Sequence, residues 1–140
     1  MPRSKEWRAL SVRQPWASAI LHLGKNVENR SLRTHFRERI LIQAGLKVER
    51  DECEKLGLDP KKLSTGAIVG SVEIVACVRN SKNKWAIRGQ HHWMLKNPRV
   101  LAKPIPFKGA LGFFRVPGRL LKNVDFLKPK RGKRAAQKGK

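Results

Sequence analysis

The sequence predicts an α+β fold, a mixed, strand-dominated barrel flanked by two or three short helices and followed by a disordered basic tail. Three observations lead there. Runs rich in Ile and Val, above all 66–78, have the length and β-branching of buried strands. Clear helical spacing is limited to two short stretches, near 15–24 and 47–58. At 140 residues the chain suits one core and not two. Residues 1–126 are therefore assigned to one domain and 127–140 to the tail.

Taken in order, Ala9 to Arg13 reads as a short extended segment. Pro15 fits a first helical position, Trp16, Ile20 and Leu23 repeat at helical spacing, and Gly24 ends that helix. Val27 to Leu32 follows as a strand with Glu28 and Arg30 on one face, then Arg39 to Ala44 as a clearer one. Lys47 to Leu58 is expected to be a charged amphipathic helix with Leu46, Cys53 and Leu56 inward, ending near Gly57 and Pro60. Gly66 to Val78 is the longest strand, with a bulge or bend at Gly70. Trp85 to Leu95 reads as weakly helical or irregular, and Asn97-Pro98 as a turn. Two strands close the domain, Val100 to Phe107 and Ala110 to Val116, the first restricted to an edge by Pro104 and Pro106.

Charge narrows the partners. The chain carries 32 Lys+Arg against 10 Asp+Glu, a net +22. Self-repulsion on that scale opposes compaction, and a polyanion that releases counterions on binding relieves it. Seven cations and no acid lie from Lys128 to Lys140, so the rest of the chain still holds +15. Nucleic acid is the favoured partner, and the lack of a recognition helix disfavours sequence-specific binding of DNA. A membrane is not, since neither a long apolar span nor a sustained basic amphipathic helix is present. The polar start, Met1 to Arg8, is unlike a secretory signal, and the two cysteines, Cys53 and Cys77, lack CxxC spacing, which together predict a cytoplasmic protein with reduced thiols. Five of the ten acids fall between Glu49 and Asp59, an acidic patch that would turn a polyanion toward the rest of the surface.

Two clusters have chemistry to offer. In Gly24-Lys25-Asn26-Val27-Glu28-Asn29-Arg30 a glycine turn delivers an ammonium, a carboxylate and a guanidinium within seven residues. Arg can hold a phosphate or a base edge, the carboxylate can accept protons or base amino groups, and a desolvated Lys can act as base or nucleophile. The same set also reads as salt bridges that fix the turn. In Ser11-Val12-Arg13-Gln14-Pro15-Trp16, Arg13 and Gln14 precede a helix N-terminus. Trp85 and Trp93, near Arg88, His91 and His92, suit stacking on unpaired bases or burial in the core. Glu73 stands in a strand with few acids nearby and is either catalytic or solvent-facing. Candidate catalytic groups are therefore Lys25, Glu28 and Glu73; candidate RNA contacts are Arg13, Gln14, Lys25, Glu28, Arg30 and Trp93. His22, His35, His91 and His92 lack metal-ligand spacing, so no metal and no cofactor is predicted. Phosphate-binding glycine loops, nucleophile elbows and Ser/His/Asp signatures are not found either.

The strings ALSVRQPWASAIL, GKNVENRS, ILIQAG, GAIVGSVEIV and PIPFKGALGFFRVP, in that order over residues 9 to 117, resemble the ASCH family. That resemblance implies a PUA-like β-barrel and contact with single-stranded RNA, or with a modified nucleotide, in a basic cleft beside a GKxxExR segment, here Lys25, Glu28 and Arg30. Some members are similar to ribonucleases. A small branch hydrolyses N4-acetylcytidine with a Lys, a Thr three residues later and a Glu; here Glu28 occupies the place of the Thr, leaving Ser31 or Thr34 as substitutes. An RNA-binding domain is the leading expectation, with a ribonuclease, the amidohydrolase, or a nonspecific structural nucleic-acid-binding protein as alternatives.

Overall fold

The computed structural model describes residues 6–127. Seven strands form one mixed sheet: β1 (Trp7–Gln14), β2 (Val27–Arg30), β3 (Arg39–Val48), β4 (Ala67–Val78), β5 (His91–Pro106), β6 (Phe113–Val116) and β7 (Phe126–Leu127). Two short helices accompany it, α1 (Trp16–His22) and α2 (Arg50–Lys55), with 3-10 turns at Pro60–Lys62 and Gly118–Leu121. The ladder runs β2-β5-β4-β3-β1-β6, and β7 also pairs with β5. β1 and β3 are parallel; the other pairings are antiparallel.

Where a closed barrel was expected, the sheet is open. No ladder joins β2 to β6 among the described residues. β6 follows β1 only from Trp7 to Leu10, and β2 pairs only with the start of β5, from His91 to Met94. Side chains cross this seam instead. The Trp93 and Phe113 rings stack with centroids 5.5 Å apart, and Phe36 meets Phe113 at 5.2 Å.

Both faces of the sheet are buried at its centre, which explains why Ile40, Leu41 and Ile42 of β3 and Ala67, Ile68 and Val69 of β4 are apolar in succession and do not alternate with polar residues. One face packs Leu10, Val12, Ile40, Ile42, Val72, Ile74, Trp93 and Leu95 against Ala17, Ile20 and Leu21 of α1. The other packs Ala9, Leu41, Ile68, Leu101 and Val116 beneath Phe107, Phe114, Leu120 and Phe126. Leu127 is paired within β7, so the ladder reaches one residue past the expected domain boundary. The proposed basic tail from Lys128 lies outside the described residues.

Several elements differ from expectation for identifiable reasons. β3 continues through Val48, so α2 starts only at Arg50; Cys53 is buried as expected, but Leu46 is 82% exposed. Leu23 caps α1 and is exposed. The segment 91–106 is one sixteen-residue strand with no turn at Asn97-Pro98. Asn97 adopts φ 55, and Asn97 and Pro98 together oppose Val72 between the Ser71–Arg99 and Glu73–Lys96 pairs, a bulge in the ladder. Gly70 does mark a bend: the β4–β5 register shifts beside it. A Cβ there would lie 2.8 Å from both Leu21 methyls and closer still to the Arg99 carbonyl. Glycine lets α1 and β5 approach β4 at this point.

Candidate functional site

The exit from α1 builds the first part of the site. Gly24 takes φ +75, open to glycine at little cost, and turns the chain so that the Lys25 N–H donates to the Ala19 carbonyl at 3.1 Å. The Lys25 side chain thereby folds inward and is 5% exposed. Its ammonium donates a short hydrogen bond to the Val27 carbonyl, stands 3.6 Å from Glu28 Oε1, and lies 5.7 Å from the centre of the Trp16 ring.

Strand alternation builds the second part. Glu28 and Arg30 are two residues apart on β2 and share a face. Arg30 Nε donates to Glu28 Oε2 at 2.8 Å. Its Nη2 donates to the Ser11 carbonyl at 2.8 Å, at the point just past the last β1–β6 pair, Leu10 with Phe113. The guanidinium lies 5.8 Å from the centre of Trp93, the residue opposite Glu28 in register. Lys25, Glu28 and Arg30 thus form one continuous chain of charge that plugs the seam, with Trp16 beneath one end and Trp93 beneath the other.

Electrostatics distinguish the two cations. Burial pushes the Lys25 ammonium below its ordinary value, Glu28 opposes that shift, and Arg30 adds to it. Arg30 is partly open to solvent, whereas Lys25 and Glu28 are buried. Two of the guanidinium's donors are committed to Glu28 and Ser11, so its outer edge is the part of the cluster that can meet a ligand directly.

Of the other predicted residues, Arg13, Gln14 and Glu73 lie apart from this cluster. Arg13 points to the opposite side of β1 from Leu10 and Val12, and its Nη1 donates to Glu49 Oε2 at 2.9 Å. Gln14 is 1% exposed: its Oε1 accepts from the Ser18 N–H at 3.0 Å and its Nε2 donates to the Ser64 carbonyl at 2.8 Å. It holds the start of α1 in place of a cap and has no face turned to a ligand. Glu73 accepts from Arg39 Nη2 at 3.0 Å, and Arg39 Nη1 also donates to Ser71 Oγ. A shallow depression of about 530 Å³ lined by Arg37, Glu38, Arg39, Glu73, Ile74 and Val75 contains Glu73 without Lys25, Glu28 or Arg30. Trp93 does belong to the cluster, but as its floor. Its ring is stacked between Phe113 and Arg30, and its Nε1 donates to the Leu32 carbonyl at 3.0 Å.

Some participants carry no local sequence signal. Ser11 contributes its backbone carbonyl, and Phe113 and Phe36 reach the site across the seam. His92, 1% exposed, places Nε2 2.8 Å from the Ile87 carbonyl and accepts from the Ser81 N–H at Nδ1. Those two bonds, with Asn29 holding Ile87 N–H and the Trp85 carbonyl, moor the basic 79–90 loop beside β2. Thr34 is buried, with Oγ1 accepting from the Phe36 N–H at 3.1 Å. No group of three or more His, Cys, Asp or Glu among the described residues is arranged to hold a metal. No helix among them is long and apolar enough to cross a membrane.

A family model described as ASCH domain matches residues 10–105, a span that runs from β1 almost to the end of β5 and includes the whole Lys25–Glu28–Arg30 cluster. No curated protein matches the chain.

Proposed function

The chain belongs to the ASCH-domain family, and from that premise we propose that it is an RNA-binding domain that holds single-stranded RNA at the Lys25–Glu28–Arg30 seam. The observation that carries this reading is the half-open guanidinium of Arg30, pinned by Glu28 and Ser11 over Trp93 at a break in the sheet. A planar donor fork held in one geometry is suited to a phosphate or to the acceptor edge of a base. Glu28 beside it offers an acceptor for a base amino group. Lys25 stands 3.6 Å from the Glu28 carboxylate as its buried ion-pair partner, and its own engagement with the Val27 carbonyl suits a positioning role better than proton transfer to a substrate.

The surrounding field favours a polyanion. Seven of the 32 cations lie from Lys128 onward and two, Arg3 and Lys5, precede Glu6, so residues 6–127 hold 23 cations against 10 acids, a net +13. Single strands are favoured over duplex DNA because α1 and α2 are seven and six residues long, and α1 is largely buried, so neither offers a recognition helix. The PUA-like barrel implied by the family resemblance is approached to the extent that Trp93, Phe113 and Arg30 bridge the open seam with side chains.

The test is fluorescence anisotropy with labelled single-stranded RNA, duplex RNA, single-stranded DNA and duplex DNA at matched salt, beside product analysis with the same RNA and with N4-acetylcytidine. Single-stranded RNA is expected to bind tightest. Arg30→Lys, which keeps the charge and loses the fork, should weaken it about tenfold. Equal or tighter binding of duplex DNA, or an Arg30→Lys variant that binds as the wild type does, overturns the reading. Cleaved strands or released acetate would make the seam an enzyme's active site.

A further inference from the structure

We infer that Leu32 and Leu111 form an apolar rim at the seam that packs against an unstacked base of the bound strand. Leu111 is 99% exposed and Leu32 75% exposed. Single exposed leucines are ordinary on protein surfaces, so exposure alone decides nothing. What distinguishes these two is how their loops are anchored.

Leu32 follows Arg30 by two residues, and its carbonyl accepts the Trp93 indole N–H. Leu111 stands between two anchors of its own. On one side, the Ala110 N–H donates to Ser11 Oγ at 3.3 Å, and Ser11 is the residue whose carbonyl receives Arg30. On the other side, Gly112 at φ +63 turns the chain into Phe113, which stacks on Trp93. Gly109 fits so closely beneath this loop that a Cβ would collide with Ser11 Oγ and lie 2.6 Å from Gln43 Oε1. Both leucines are therefore fixed to the residues that hold Arg30, and each presents its side chain to solvent.

The cations around them select the occupant. Arg33 follows Leu32, and Lys108 and Arg115 bracket the Leu111 segment; all three are exposed, with Arg115 Nη1 donating to Glu6 Oε1 at 2.9 Å. An apolar contact ringed by cations and set beside a donor fork matches a nucleotide, whose base has an apolar face and whose phosphate is anionic. Leu46 is a natural control. It is 82% exposed, but it lies on β3 three residues before Glu49, where the acids gather.

This inference rests on the RNA-binding reading above, and the experiment separates the two. The probe is a single-stranded RNA oligonucleotide carrying one 2-aminopurine, whose fluorescence rises when the base leaves its stacked neighbours. Wild-type protein should bind it and raise the emission at least about twofold, since a wedge of this kind unstacks the step it enters. Leu111→Ala and Leu32→Ala should each weaken binding by about fivefold, the low end for one base contact, and suppress the emission change. Leu46→Ala should match the wild type. If the wild type binds with the expected dependence on Arg30 while both leucine variants retain full affinity and the full emission change, the rim is wrong and the RNA-binding reading stands. If the wild type does not bind the oligonucleotide, both fail.

Discussion

Replacing Glu28 with Gln keeps the side chain's size and removes the negative charge from between Lys25 and Arg30. The ammonium of Lys25 is 3.6 Å from the carboxylate, and its side chain is 5% exposed. At the effective dielectric of about 20 that suits such sites, that separation corresponds to roughly 4–5 kcal/mol of gross attraction. The charge-assisted bond from Arg30 Nε at 2.8 Å adds about 1.5 kcal/mol, the low end of its range because Arg30 is partly solvated. Relaxation of both cations and loss of the Lys25 proton return part of this, leaving an expected destabilisation of about 3 kcal/mol. In urea, with a slope of about 2 kcal/mol per M, the midpoint should fall by about 1.5 M.

The pH dependence has a definite sign. Burial already holds Lys25 below its ordinary value in the folded state. The unfolded chain therefore binds more protons between that lowered value and the unfolded value of about 10.4, and stability rises with pH across this window. Without Glu28 the folded value drops further, so the window opens at lower pH and Glu28→Gln should recover part of its lost stability as the solution is made alkaline. A loss below ~0.5 kcal/mol, with no such recovery, would mean that the cluster behaves as a solvated surface pair and refute the reasoning.

Two further outcomes follow from the same structure. Gly70→Ala drives a methyl against the Arg99 carbonyl and Leu21, and should cost about 2–3 kcal/mol in urea unfolding; unchanged stability would contradict the close approach of α1, β4 and β5. Deleting Lys128 to Lys140 should lower the salt slope of RNA binding by up to about 5, at roughly 0.7 per phosphate contact on single strands, while the domain still binds; an unchanged slope would remove the tail from the interaction.

How far the sequence could be read depended on whether the signal was local. β4 was legible because both of its faces are buried and it is rich in β-branched residues, Ile68, Val69, Val72, Ile74, Val75 and Val78. β5 was not, since Asn97, Pro98, Pro104 and Pro106 are the ordinary marks of a turn or a break. In the fold Asn97 and Pro98 are absorbed by a bulge, and beyond Leu101 no strand among the described residues pairs with the side of β5 away from β4, so the later prolines interrupt no ladder there. Leu46 reads as helical because Lys47 opens a charged, helix-like stretch, although β3 continues through Val48. Within the site, Lys25, Glu28 and Arg30 were legible because one turn and one short strand bring them together. Ser11, Phe36 and Phe113 come from strands and loops that meet only across the seam, and Arg13, Gln14 and Glu73 were drawn toward it by sequence proximity or scarcity while their side chains serve other contacts.

The central claim is that nucleic acid contacts the seam. Titrating short single-stranded RNA into isotopically labelled protein and following amide and indole resonances tests it residue by residue. The largest shifts should fall on Gly24 to Leu32, on Gly109 to Phe113, and on the indole N–H of Trp93. Shifts confined to the Arg39, Glu73 and Arg99 face, with Arg30 and Trp93 unmoved, would contradict the account.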